Sequence, residues 1–200
     1  MKTRKNISLV LGALILGACA SNVVQDTYYS LSPGNSEYQA STTDAQRKIR
    51  LTIAHITLPK FLQKQNLVMQ SGAHTLVAAR HHFWAEPLED GIAKVLAQEI
   101  MQASSHLQVE RNFGRWTSKS ICSIRLEFDA FHPTEAGQIL TSGRFWLQGG
   151  ENESPVIQSF SSKEDLQQDG YSQVVVQLRS SLQHVATGIV TSIEQSRTCK

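Results

Sequence analysis

Cysteine is the residue type in this 200-residue chain that most directly implies chemistry, and there are three. Cys19 closes the run Leu16-Gly17-Ala18-Cys19 at the end of MKTRKNISLVLGALILGACASN. Lys2, Arg4 and Lys5 form a positive leader. Ile7 to Leu16 is an apolar stretch of about ten residues, the length of a secretory h-region and too short to span a bilayer. A cysteine directly after small residues at 17 and 18 is the pattern of a bacterial lipobox, rather than of an ordinary signal peptide with an incidental cysteine. Its chemistry is thioether formation. The thiol takes a diacylglycerol, signal peptidase II cuts between Ala18 and Cys19, and the freed amine receives a further acyl chain such as palmitate. Each buried acyl CH₂ contributes about 0.8 kcal/mol, so several chains on one residue hold it permanently at a membrane. Ala20 and Ser21 follow, where an Asp would favour inner-membrane retention; the expected address in a Gram-negative cell is the outer membrane.

Lipidation would leave Cys122 and Cys199, an even pair in an oxidising compartment and hence a disulfide candidate. The alternative makes Cys122 a small core residue and Cys199 a free thiol on the tail. Seven histidines invite a metal site, but their spacing does not support one. His81 and His82 are adjacent and point to opposite faces of an extended chain, and there is no His-Glu-x-x-His or Cys-x-x-Cys. There is no Gly-x-Ser-x-Gly elbow and no phosphate-binding glycine loop, so neither catalytic residues nor a cofactor is assigned. Phe83 and Trp84, in RHHFWAEPL, are either a partner contact or a hydrophobic anchor for the helix that follows.

Composition bounds the partners. Nineteen Lys and Arg against 17 Asp and Glu give +2, too balanced for a chain that tracks nucleic acid. An apolar fraction of 40% supports a real core rather than a disordered chain. Removing residues 1–18 takes Lys2, Arg4 and Lys5 from the +2 balance and leaves −1, so the basic excess belongs to the targeting segment.

The elements that must position these residues follow from periodicity. Residues 19–26 read as a lipidated tether, and residues 27–200 as one periplasmic domain. Thr27 to Leu31 is β-prone and is closed by a turn at Ser32-Pro33-Gly34; residues 35–46 are a polar loop. Lys48 to Leu58 alternates as a strand. Residues 66–70 and 74–79 form a hairpin, with residues 80–84 as a loop. Pro87 opens a helix whose apolar face is Leu88, Ile92, Val95, Leu96 and Ile100. Val109 to Phe113 is a short strand. In Ser120 to His132, Cys122, Ile124, Leu126, Phe128 and Ala130 share one face; Gln138 to Gln148 and Pro155 to Ser162 complete an antiparallel meander. Tyr171 to Gln195 is a helix, with Val174, Leu178, Leu182, Val185, Ile189 and Ile193 on one face. The expected fold is α/β: one mixed sheet of about six or seven strands covered by two long amphipathic helices. A final helix of roughly 37 Å runs back along a first meander strand of roughly 40 Å, which carries Cys199 towards Cys122.

Taken together, the lipobox, YYSLSP, IRLTIAHITLPKFLQKQNLV, WAEPL, LEFDAFHPTEAGQILTSGRFWL and DGYSQVVVQLRSSLQHVATGIVTSI resemble the ABC-type transport auxiliary lipoproteins, the PqiC/YmbA-like group, over nearly the whole mature chain. That resemblance implies an outer-membrane lipoprotein linked to membrane integrity and intermembrane lipid transport. Its implied partner is a periplasmic tunnel protein bearing MCE domains, which the domain would dock alone or as a homo-oligomer. The alternatives are a periplasmic lipid carrier and a lipid-anchored hydrolase. Only Cys19 carries over as a defined functional position.

Overall fold

The computed structural model describes residues 24–32, 49–111, 122–150, 154–196 and 199. Among these described residues, eight strands and two helices follow in the order β1 (Thr27–Tyr29), β2 (Ile49–Thr57), β3 (Asn66–Gln70), β4 (Leu76–Trp84), α1 (Leu88–Ala103), β5 (Leu107–Arg111), β6 (Cys122–Pro133), β7 (Gln138–Gln148), β8 (Val156–Asp165) and α2 (Tyr171–Gln195). They build two sheets instead of the expected one. Five strands lie in the order β5-β2-β6-β7-β8, and three in the order β1-β4-β3. The division arises because β4 does not stop at Ala79. It runs on through the RHHFW segment, expected as a loop, and there takes β1 as a parallel partner.

In the larger sheet β2 pairs parallel with β5 and β6, and the meander β6-β7-β8 is antiparallel. α1 covers β2 and β5, and α2 covers β6, β7 and β8. α1 buries Leu88, Ile92, Val95, Leu96 and Ile100; α2 buries Val174, Leu178, Leu182, Val185, Ile189 and Ile193. These rows lie on single helix faces because positions three and four apart project alike.

Two register shifts set which side chains reach the core. One falls between Ile53 and His55 and brings Ile56 opposite Leu126. The other falls between Phe128 and Ala130, opposite Gly143. Beyond it the alternation changes phase: Phe131, not Ala130, is fully buried, opposite Thr141. A bulge inserts one residue and so exchanges the two faces of everything after it. Gly143 is required there. A Cβ would stand 2.2 Å from Glu127 O, 2.8 Å from the Phe160 ring and 2.9 Å from Phe128 Cα.

Polar ties fix the helices. Glu99 of α1, 5% exposed, receives a 2.8 Å bond from Arg179 of α2. Thr141 and Ser181, both buried, share a 2.8 Å hydrogen bond between β7 and α2. The Ser192 hydroxyl lies 2.7 Å from both Gln158 Oε1 and Gly188 O. At the far end of α2, Cys199 is joined to Cys122 at the start of β6, with Cα atoms 5.3 Å apart and both residues buried.

Candidate functional site

Cys19 and Ala18, the residues assigned to lipidation and cleavage, lie outside the described residues, as do Pro33-Gly34 and the loop 35–46. The site that can be built is the end of the domain into which the tether leads. β1 starts there, paired with the last residues of β4: Thr27 opposite His82, Tyr28 opposite Phe83, Tyr29 opposite Trp84. Aromatic and β-branched residues suit this pleated, half-buried position. Ala85 N–H donates to Tyr29 O at 2.8 Å and extends the ladder by one bond. Leu31, 2% exposed, then reaches the start of α1 beside Gly91. The YYSL run is thus a docking segment: Tyr29 and Leu31 face inward, and Tyr28 is left outside.

Rings and histidines gather around this pairing. The Tyr29 hydroxyl is 2.9 Å from His82 Nδ1. The His82 ring stacks on Tyr171, the first residue of α2, with centroids 3.6 Å apart and planes 18° from parallel. Tyr28 stacks on Phe83 at 5.5 Å. His81 Nδ1 contacts Asp26 Oδ1 at 2.9 Å across the two strands. The structure separates Phe83 from Trp84. Trp84 is 5% exposed and belongs to the core, so as a partner contact it is excluded by its own burial. Phe83 is half-buried and shares the outer surface with Tyr28. Adjacent strand residues point to opposite faces, which is why neighbours of similar chemistry diverge.

His132 is a buried titratable group at the end of the domain nearest the β2–β3 connection. It is 5% exposed, its ring meets the edge of Phe61 at 5.9 Å, and Nδ1–H donates to Pro133 O at 3.1 Å. Burial holds its pKa below the usual 6.5. Among the described residues, no three His, Cys, Asp or Glu side chains come together as a metal-binding set. The histidine–carboxylate pairs Asp26–His81 and Glu164–His184 stand at the surface, with no hydroxyl or thiol bonded to either ring among the described residues. A cleft of about 380 Å³ lies between α1 and β5, lined by Ser32, Lys94, Ala97, Gln98, Met101, Val109 and Arg111. Across the larger sheet, on the face the helices leave open, Trp146 has the guanidinium of Arg125 at 5.9 Å and of Arg144 at 5.7 Å.

One feature of this end escaped the reading of periodicity and motifs. Residues 51–85 carry Lys60, Lys64 and Arg80 and no Asp or Glu at all. The near-zero total charge concealed it, because acids elsewhere in the chain cancel these cations. A running charge count along the chain is the signal that finds it.

Fold and site together define an α/β domain whose end nearest the tether exposes aromatic and cationic side chains. The chain belongs to the ABC-type transport auxiliary lipoprotein component family, whose model matches residues 29–190. It is 23% identical over 189 residues to the intermembrane transport lipoprotein PqiC of Escherichia coli K12, covering 94% of this chain and 96% of that one. Among solved structures, the fold resembles a crystal structure of an uncharacterized protein, with TM-score 0.69, 19% identity and coverage of 85% and 99%. A protein from Xanthomonas campestris is similar at TM-score 0.58 and 15% identity, over 72% of this chain and 82% of that one. The family is one of auxiliary transport lipoproteins.

Proposed function

We propose that the chain is the outer-membrane lipoprotein of an intermembrane lipid transport system, acylated on Cys19 after cleavage at Ala18, and that its periplasmic domain docks an MCE-domain tunnel protein. The match of the family over residues 29–190 carries this reading. The lipobox supports the anchor. Coverage of 94% by the PqiC alignment leaves about a dozen residues of this chain outside it, too few to exclude residue 19 from either end. The open face with Trp146 between two arginines supports docking, because Trp and Arg are the residues that most often dominate protein interfaces. Carriage of a lipid within the domain would call for an apolar cavity. The cleft beside α1, about 380 Å³, has the polar side chains Lys94, Gln98 and Arg111 in its lining rather than an apolar wall.

Two measurements test the reading. Mass spectrometry of the mature N-terminal peptide is expected to find Cys19 as the first residue, bearing acyl groups. Formaldehyde crosslinking in intact cells, followed by purification of the chain, is expected to recover an MCE-domain protein, and Trp146→Ala to reduce that recovery. An unacylated N-terminus overturns the anchor, and repeated recovery without an MCE protein overturns docking.

A further inference from the structure

We propose that the three-stranded sheet is a second membrane-contact element, lying against an anionic phospholipid surface beside the acyl anchor. This rests on the reading that Cys19 is lipidated. Three observations point the same way.

The first is reach. β1 begins at Thr27, eight residues after Cys19, and eight fully extended residues span at most about 28 Å. Thr27, where β1 enters the sheet opposite His82, therefore stays within that distance of the acylated residue.

The second is charge. The described segment from β2 to α1 exposes Lys60, Lys64, Arg80 and His74, and no acid lies between Asp44 and Glu86. The bordering carboxylates Asp26 and Glu86 are engaged with His81 and Lys94. The nearest acid from the larger sheet is the exposed Glu135 of the β6–β7 turn, whose amide bonds Gln70 O at the end of β3. Cations near an anionic leaflet each gain about five-fold in partition, and the gain falls off within a Debye length.

The third is apolar exposure. Seven large hydrophobic residues are exposed among the described residues; Val24, Tyr28, Leu76 and Val77 belong to this end, and Tyr171 borders it. Tyr28 is 58% exposed with its ring stacked on Phe83. Leu76, Val77 and Ala78 are exposed at consecutive positions, so both faces of the hairpin end are bare. Tyrosine rings and scattered aliphatics among cations are the composition of a surface that lies in the headgroup layer.

The test uses the lipidated chain reconstituted in phosphatidylethanolamine vesicles with or without phosphatidylglycerol. Amide hydrogen exchange is then measured in β1 and in residues 71–80. With phosphatidylglycerol these amides are expected to slow by about five-fold for each cation engaged, and added salt to reverse the slowing. The combined variant Lys64→Gln, Arg80→Gln, Leu76→Ser, Val77→Ser is expected to float with the vesicles through its acyl chains yet lose this protection. Unchanged exchange in β6 and β7 verifies its fold; Lys60→Gln with Lys64→Gln, confined to the β2–β3 connection, replaces it if it misfolds. Equal exchange in both vesicles, with the chain still floating, overturns the contact while leaving the anchor intact. A chain that neither floats nor carries acyl groups overturns the anchor and the contact together.

Discussion

In the larger sheet Cys122, Ile124, Leu126 and Phe128 of β6, and Ile139, Phe145 and Leu147 of β7, all point into a core sealed by α1 and α2. In the smaller sheet Leu76, Val77 and Ala78 stand exposed one after another, and β1 is only three residues long. A two-stranded hairpin extended only by the three-residue β1 is marginal alone. These strands are held by what they insert into the main core: Trp84, Leu67, Val68 and, through the β1 segment, Leu31. The comparison teaches a division of labour. Stability resides in the larger sheet and its helices, which leaves the end nearest the tether free to display rings and cations that a core could not use.

Removing the Cys122–Cys199 link should give the largest effect and the sharpest separation of the two regions. The link closes a sequence separation of 77 residues, for which the chain-entropy account expects about 4 kcal/mol. The double variant Cys122→Ala, Cys199→Ala should lower the denaturant midpoint accordingly, and alkylation of the unreduced parent should find both thiols blocked. The hydrogen exchange of β1 and β4 under native conditions should hardly change. Protection lost first in β1 and β4 would break the comparison.

The helix–helix ion pair comes next. Arg179→Met leaves Glu99, 5% exposed, without its 2.8 Å partner and should cost about 3 kcal/mol. Adding Glu99→Leu should restore most of that loss, because the burden is an unpaired buried charge and not the absence of a bond. A double variant as unstable as the single one would place the contribution in the pair itself.

Wherever one residue's neighbours along the chain decide its place, the sequence was readable. The rows Leu88-Ile92-Val95-Leu96-Ile100 and Val174-Leu178-Leu182-Val185-Ile189-Ile193 repeat at helical spacing, and the helices bury those side chains. The meander was legible through alternation, up to the bulge beyond Phe128, where one inserted residue put Phe131 inside in place of Ala130. The division into two sheets was not legible, because the β1–β4 pairing joins residues 53 or more positions apart and RHHFW carries no alternation of its own. At the candidate site the rings around Trp84 were visible as a cluster, yet only the strand pairing shows that Trp84 turns inward and Phe83 outward. The cationic surface was present in the composition but hidden by averaging over the whole chain.

Two glycines give a smaller effect and a direct contrast between the regions. Gly143→Ala forces a Cβ to within 2.2 Å of Glu127 O at the bulge and should destabilise by about 2 kcal/mol. Gly72→Ala, in the β3–β4 turn, meets Thr75 Oγ1 at an ordinary 3.7 Å and should stay within about 0.5 kcal/mol of the parent. Equal losses in thermal unfolding would mean that the hairpin is packed as tightly as the meander.

The smallest expected effect lies on the seam between the sheets. His132, next to last in β6, packs against Phe61 of the β2–β3 connection, and burial lowers its pKa below 6.5. Above 6.5 folded and unfolded chains carry the same charge at this residue, and its contribution is fully present. As pH falls below 6.5 the unfolded chain takes up the proton first, so stability declines until the lowered pKa is passed. In His132→Gln this part of the pH dependence should vanish, read as the difference between two unfolding series over the same pH range. If the slope survives the substitution, the seam is not where acid loosens the molecule. If it vanishes, and exchange in β3 and β4 rises in acid before exchange in β6 and β7, the junction is shown to yield while the larger sheet holds.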